Sequence, residues 1–246
     1  MVGRKPAAER LRPIDEKAVN GEFESPTGPL DQEAVKQLVV ASLADEVRVA
    51  TRALGDTIWN LVEKNVEGRN GETTAKLSSA VTITASNAYI RAACPGPDTS
   101  APDTTFAFGQ VRFDVPGIRP NKAALEDGDV LLTFTGCVTG KVTLTGKSSA
   151  YYDTSRGMVA TLKVVAVVDG IGDVTLDQPI RLNKNVVEVL TETTQGTYVI
   201  DLGSLPDRIT VTGDGGSISC SLNGSKATCE VAGKSFTFDI RDLKAK

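Results

Sequence analysis

The sequence predicts a mainly β protein, an antiparallel β-sandwich or barrel that follows a long amphipathic helix and an extended N-terminal arm. From Thr73 onward, short segments rich in Val, Ile, Thr, Phe and Tyr alternate with Gly, Asp, Asn and Pro, as in strands joined by turns. No helical pattern separates these segments, and parallel strands would need such crossovers. Before them, residues 31–66 carry apolar side chains at spacings of three and four, the period of an amphipathic helix. These observations divide the chain into an arm (1–30), a helical segment (31–68) and a β-rich domain (73–246).

The arm, residues 1–30, mixes charged side chains with prolines and glycines and shows no periodicity. A segment of this composition buries too little apolar surface to fold alone, so we interpret it as flexible or as bound by a partner. Its start is locally basic, but the whole chain has a net charge of −4. Because a mildly acidic chain does not attract nucleic acid, no nucleic-acid partner is expected.

The helical segment contains signals for a start, an end and an interruption. Asp31 is expected to cap the first turn, and Gly68 to end the helix. Gly55-Asp56 is a candidate interruption, with Asp56 capping a second piece. An uninterrupted helix would be about 54 Å long at about 1.5 Å per residue, longer than a small β domain is wide. Part of its apolar stripe would then face another chain.

The apolar stripe of this helix therefore supplies the candidate contacts with a partner. The partner would be another copy of the chain or a different subunit of an assembly. The stripe recurs on one helical face, and the single tryptophan of the chain lies near its end. The candidate partner-contact residues are Val35, Val39, Leu43, Val47, Leu54, Ile58 and Trp59.

The β-rich domain is predicted to contain twelve strands. The apolar alternation slips at Gly109, which suggests a β-bulge. Residues 163–168, KVVAVV, lack alternation, so this strand is expected to be buried on both faces. The strands form one domain or two, with Leu205-Pro206 as the boundary in the second case. The predicted strands cover residues 79–91, 105–115, 129–136, 141–151, 158–168, 173–182, 186–193, 197–202, 208–212, 217–222, 227–232 and 235–241.

Two of the four cysteines, Cys220 and Cys229, lie in a segment with the pattern of a β-hairpin. A type I′ turn at Asn223-Gly224 would place Cys220 opposite Ala227. A type II′ turn at Gly224-Ser225 would instead place Cys220 opposite Cys229, in a non-hydrogen-bonded pair with Cα atoms about 4.5 Å apart. That distance permits a disulfide. The alternative is two buried thiols, as in a reducing cytosol.

The other two cysteines, Cys94 and Cys137, would form the second disulfide by elimination, if the first one forms. Their pairing would tie the Pro-rich loop at residues 94–103 to the β-rich domain.

The absence of histidine narrows the chemistry that the chain can perform. It excludes Ser-His-Asp and Cys-His catalysis and any His-ligated metal site. No C-x-x-C spacing occurs, so a zinc site is not expected either. Catalysis by carboxylate, lysine or tyrosine stays open, but no constellation of this kind is visible. The sequence therefore predicts a non-enzymatic protein without catalytic residues, metal or cofactor.

The cellular location follows only indirectly from the sequence. No apolar run reaches the roughly 18 residues of a membrane span, and the first residues lack the apolar stretch of a secretory signal. Two functional hypotheses result. The first is a structural or assembly protein, such as a component of a virus or phage particle, that contacts neighbouring subunits through its arm and helix. The second is an exported or cell-surface β domain that binds a ligand or an adhesion partner.

Overall fold

The computed structural model contains three helices and fourteen strands in the residues that it describes. These residues are 14–66, 82–84, 89–93, 110–114, 128–153, 155–183 and 186–241. The mainly β, antiparallel class is confirmed. The helices are α1 (Glu16–Glu24), α2 (Gln32–Ser42) and α3 (Asp45–Val66). The strands are β1 (Thr82–Thr84), β2 (Tyr89–Ala93), β3 (Gln110–Asp114), β4 (Gly128–Thr139), β5 (Val142–Asp153), β6 (Gly157–Val168), β7 (Gly172–Leu176), β8 (Pro179–Asn183), β9 (Val186–Thr193), β10 (Gly196–Asp201), β11 (Arg208–Gly213), β12 (Gly216–Asn223), β13 (Lys226–Val231) and β14 (Lys234–Asp239).

The predicted helical segment consists of two helices, α2 and α3, and the predicted position of the interruption is wrong. Asp31 caps α2 as expected, because its carboxylate accepts a hydrogen bond from the Ala34 amide at 2.8 Å. The break lies at residues 43–44, and α3 then begins with two acidic residues at its positive N-terminal end. Helix α3 continues through Gly55-Asp56 and packs against strands β5 to β8. The predicted stop at Gly68 lies outside the described residues.

All strands belong to one open antiparallel sheet in which neighbours along the chain pair in nearly every case. The exception lies at β6, whose outer edge is shared by β7 at its C-terminal half and β8 at its N-terminal half. The predicted strand 173–182 is accordingly two strands, separated before Pro179. Strands β10 and β11 pair across the segment that contains Leu205-Pro206, and one core includes residues from both sides of it. A bulge interrupts β4 between Phe134 and Cys137, whereas the one predicted at Gly109 lies outside the described residues.

The two faces of β6 differ, so the prediction that KVVAVV is buried on both faces is wrong. Val164, Ala166 and Val168 are buried in the main core, which α2 and α3 share with strands β4 to β13. Val165 and Val167 point to the opposite face and are 42% and 40% exposed. Helix α1 packs on that face only towards the other end of the strand. Burial here depends on which helix covers which half of the sheet.

Helix α1 lies on the face of the sheet opposite α2 and α3. Its Phe23 packs with Val159, Leu190 and Val199 in a separate small core. The Arg181 guanidinium lies 4.9 Å above the Phe23 ring, in cation–π geometry. The part of the predicted arm that the structure describes, residues 14–30, therefore packs against the chain's own sheet.

Residues 25–31 carry the chain around the end of the sheet, from α1 on one face to α2 on the other. The Gly28 amide donates to the Thr197 carbonyl at 2.9 Å, and the Gly28 carbonyl accepts from the Asp214 amide at 2.8 Å. Gly28 also lies against the Tyr198 ring so closely that a Cβ atom would overlap it. Only glycine allows this approach.

Tyr198 fixes the same segment from the other side. Its hydroxyl donates to the Pro29 carbonyl at 3.1 Å, and its side chain is almost fully buried. Burial raises the pKa of Tyr198 above its usual value, and the nearby Asp31 carboxylate raises it further. The phenol therefore stays a hydrogen-bond donor at neutral pH.

Candidate ligand-binding cleft

The stripe that was predicted to contact a partner lies mostly inside the chain. Five of its residues are at most 5% exposed and pack in the main core: Val35, Val39, Leu43, Leu54 and Ile58. Val47 is half-buried. Trp59 lies in α3, but its side chain is not among those that the structure describes. The stripe is thus used to attach α2 and α3 to their own sheet.

The C-terminal hairpin has the register that permits a disulfide. Asn223 pairs with Lys226, and Cys220 pairs with Cys229, which is the arrangement expected for a turn at Gly224-Ser225. Gly224 has a φ of +60°, the left-handed conformation that this turn needs at its first central residue. The two sulfur atoms are bonded, with Cα atoms 4.2 Å apart, and both side chains are buried. The predicted Cys220–Cys229 disulfide is confirmed.

Cys137 is also disulfide-bonded and fully buried. Its predicted partner Cys94 lies outside the described residues, so that pairing stays a prediction. Among the residues that the structure does describe, no cysteine has a free thiol.

The described part of the chain lacks two further features. It contains no group of three or more His, Cys, Asp or Glu side chains placed to hold a metal ion. None of its helices combines the length and the apolar character that a membrane span requires.

A cleft of about 220 Å³ opens between α3 and the hairpin formed by β8 and β9. Its floor is apolar: Leu182 and Leu202 come from the main core, with Val187 and Leu205 packed beside them. Gly55, in the middle of α3, forms the helical side of the floor. Gly55 has no side chain, so the backbone of α3 borders the cleft at this point.

Two arginines on successive turns of α3, Arg48 and Arg52, form the rim of the cleft. Arg52 pairs with Asp56 at 3.8 Å, and Arg48 pairs with Asp45 at 3.4 Å. These side chains are 39% to 64% exposed, so water screens both pairs. Exposed pairs of this kind contribute about 1 kcal/mol or less. Both guanidinium groups can therefore exchange a carboxylate of the chain for an anionic ligand at little cost.

The sequence patterns did not predict this cleft, although part of its signal is visible in them. Arg48, Arg52 and Asp56 recur every four residues, which places them on one face of a helix. At Gly55 the sequence pattern indicates a helix interruption and gives no sign of a gap in a packed helix. The floor residues on β8 and β9 carry no sequence signal of their own, since they look like any other strand residues.

Comparison of the chain with models of known protein families, with curated proteins and with solved structures gave no match.

Proposed function

We propose that the chain is a non-enzymatic β domain that binds a ligand in an oxidising compartment, outside the cell or at its surface. The observation that supports this best is the buried disulfide between Cys220 and Cys229. Disulfides persist in oxidising compartments and are rare in the reducing cytosol. The disulfide at Cys137 supports the same conclusion. The cleft between α3 and the β8–β9 hairpin offers a place for the ligand.

Thiol counting tests the compartment. The full chain is produced in an oxidising and in a reducing compartment, denatured, and titrated for thiols with and without reductant. From the oxidising compartment we expect no free thiol before reduction and four after it, one for each cysteine. Four free thiols in protein isolated from its native source would contradict the proposal.

The contribution of the hairpin disulfide to stability is measured with the double variant Cys220→Ala/Cys229→Ala. The bond closes a loop with a sequence separation of 9. Loop-closure entropy for this length gives a loss of about 2.5 kcal/mol in the free energy of unfolding. Urea denaturation of both proteins without reductant measures it. An unchanged denaturation midpoint would show that the disulfide is not a structural requirement.

A second candidate is a subunit of an assembly, such as a virus or phage particle. One observation favours it: Val165, Val167 and Ile171 are each at least 40% exposed on the hairpin of β6 and β7. Clustered exposed apolar side chains often mark interaction surfaces. Under this hypothesis the contact lies on the β6–β7 hairpin and not on the buried helical stripe.

Sedimentation at several concentrations separates the two candidates. An assembly subunit would associate as its concentration rises, and Val167→Lys would abolish the association. Lys163→Val, on the same exposed face of β6, would strengthen it. A monomer at every concentration would contradict the assembly candidate. Removal of residues 1–13 is the appropriate test of the arm, because residues 14–30 are part of the fold.

A further inference from the structure

We propose that the cleft beside Gly55 binds a small molecule that carries one carboxylate on a short unbranched apolar chain. The carboxylate would be held by Arg48 and Arg52, with the apolar chain on the floor of the cleft. This proposal rests on the proposed function as a ligand-binding domain and specifies the ligand class.

The size of the cleft limits the ligand. Its volume is about 220 Å³. Sites for drug-sized molecules are typically about 300–1,000 Å³. The part of the ligand that enters the cleft is therefore short.

The two arginines of the rim favour a ligand with a carboxylate. Of the charged residues that the structure describes, Arg48, Arg52 and Asp56 line the cleft. Arg48 is paired with Asp45 and Arg52 with Asp56, so the carboxylate of the ligand would take the place of these partners. The planar guanidinium group also matches the two oxygens of a carboxylate. Because the ion pairs within the chain are exposed, the ligand competes with weak partners.

The apolar floor of the cleft favours an apolar chain as the rest of the ligand. Leu182 and Leu202 are at most 8% exposed, and Val187 and Leu205 lie beside them. These apolar side chains bind methylene groups, and Asn183 lines the cleft beside them. Each methylene that enters it is expected to tighten binding about fourfold.

Packing alone does not explain why position 55 has a glycine. A glycine in a helix interior is less favourable than alanine. A Cβ atom at this position would lie 3.5 Å from Val187 and 3.6 Å from Leu182, which are ordinary contact distances. Alanine would therefore fit and improve the helix, yet the chain has glycine. We infer that the space itself is functional, as the part of the floor that receives the ligand.

The test uses the full oxidised chain and three probes of equal length: octanoate, octanol and octylamine. Titration calorimetry measures affinity, and amide chemical shifts locate the site. We expect octanoate to bind at the cleft and to bind about fourfold more tightly than heptanoate. Octanol is expected to bind at least tenfold more weakly than octanoate, because it lacks the charge-assisted bonds to arginine. Octylamine is expected not to bind.

Three variants test the assignment. Arg48→Gln and Arg52→Gln are each expected to weaken octanoate binding at least tenfold. Gly55→Ala is expected to weaken it while the protein remains folded, because a methyl group fills the floor. The matched control is Arg156→Gln, in the exposed turn between β5 and β6, which should leave affinity unchanged.

The possible failures are distinguishable. If octanol binds as tightly as octanoate, or if both arginine variants bind normally, the carboxylate proposal is overturned but a ligand-binding cleft remains. If a pentapeptide ending in leucine binds at the cleft and octanoate does not, the small-molecule proposal is overturned in favour of a peptide terminus. If no probe shifts the amides of Gly55 and Leu182, the cleft is not a binding site, and the proposed function loses its site as well.

Discussion

Replacing Gly55 by alanine should stabilise the protein, and the structure allows the magnitude to be worked out. Two effects add. Alanine is preferred over glycine in a helix interior by about 0.5–1 kcal/mol. Its methyl group would also contact Val187 and Leu182 at 3.5 and 3.6 Å, which contributes up to about 0.8 kcal/mol. The expected gain in the free energy of unfolding is therefore about 0.5–1.8 kcal/mol.

Urea denaturation of the full chain measures this gain as a higher midpoint with an unchanged slope. The matched control is Gly21→Ala in α1. A Cβ atom at Gly21 would have nothing within 4 Å, so only the helix-propensity effect applies there. The difference between the stability gains of Gly55→Ala and Gly21→Ala isolates the contribution of the contact with the hairpin. If Gly55→Ala lowers the midpoint, α3 and the hairpin are closer than described, and the argument for a functional space is refuted.

Four further changes test other features of the fold. Gly28→Ala should destabilise the chain by about 1–3 kcal/mol, because its methyl group would overlap the buried Tyr198 ring. Substitutions of the two buried threonines of α3 should have different effects on the free energy of unfolding. Thr51→Val should be neutral or stabilising by up to about 1 kcal/mol, because the Thr51 hydroxyl has no hydrogen-bond partner among the described residues. Thr57→Val should cost about 1–2 kcal/mol, because its hydroxyl bonds the Ala53 carbonyl at 2.6 Å and the Thr139 hydroxyl at 3.0 Å. Asp239→Asn should reduce the acid sensitivity of the protein: hydrogen bonds from Arg241 hold the pKa of Asp239 well below its usual range. The stability contributed by this carboxylate is present above about pH 4 and is lost as pH falls through the lowered pKa.

Each of these predictions has a measurement and a contrary outcome. Urea denaturation midpoints at neutral pH compare Gly28→Ala and the two threonine variants with the parent chain. Equal losses of stability for Thr51→Val and Thr57→Val would contradict the hydrogen-bond argument. For Asp239→Asn, midpoints are measured at pH 6, 4 and 3. A variant that loses stability with acid as steeply as the parent chain would show that the bonds to Arg241 do not contribute in solution.

Local patterns in the sequence predicted the mainly β class, most strand positions and the hairpin disulfide. The sequence limited the register of Cys220 and Cys229 to two alternatives, because each possible two-residue turn sets the pairing of the strands that flank it. The structure has the turn at Gly224-Ser225. The cap at Asp31 could be predicted for a similar reason, since it involves only the amide three residues along the chain. Interactions of this kind span few residues and do not depend on the rest of the fold.

The tertiary structure decided what each surface faces. The stripe of Val35, Leu54 and their neighbours was visible in the sequence, but only packing shows that it covers the chain's own sheet. Likewise, Val164 and Val165 are chemically identical neighbours, and one is buried only because α3 covers that side of β6. The cleft at Gly55 depends on residues more than a hundred positions apart in the chain. Burial and the shape of a site depend on which distant elements meet, and a local pattern contains no such information.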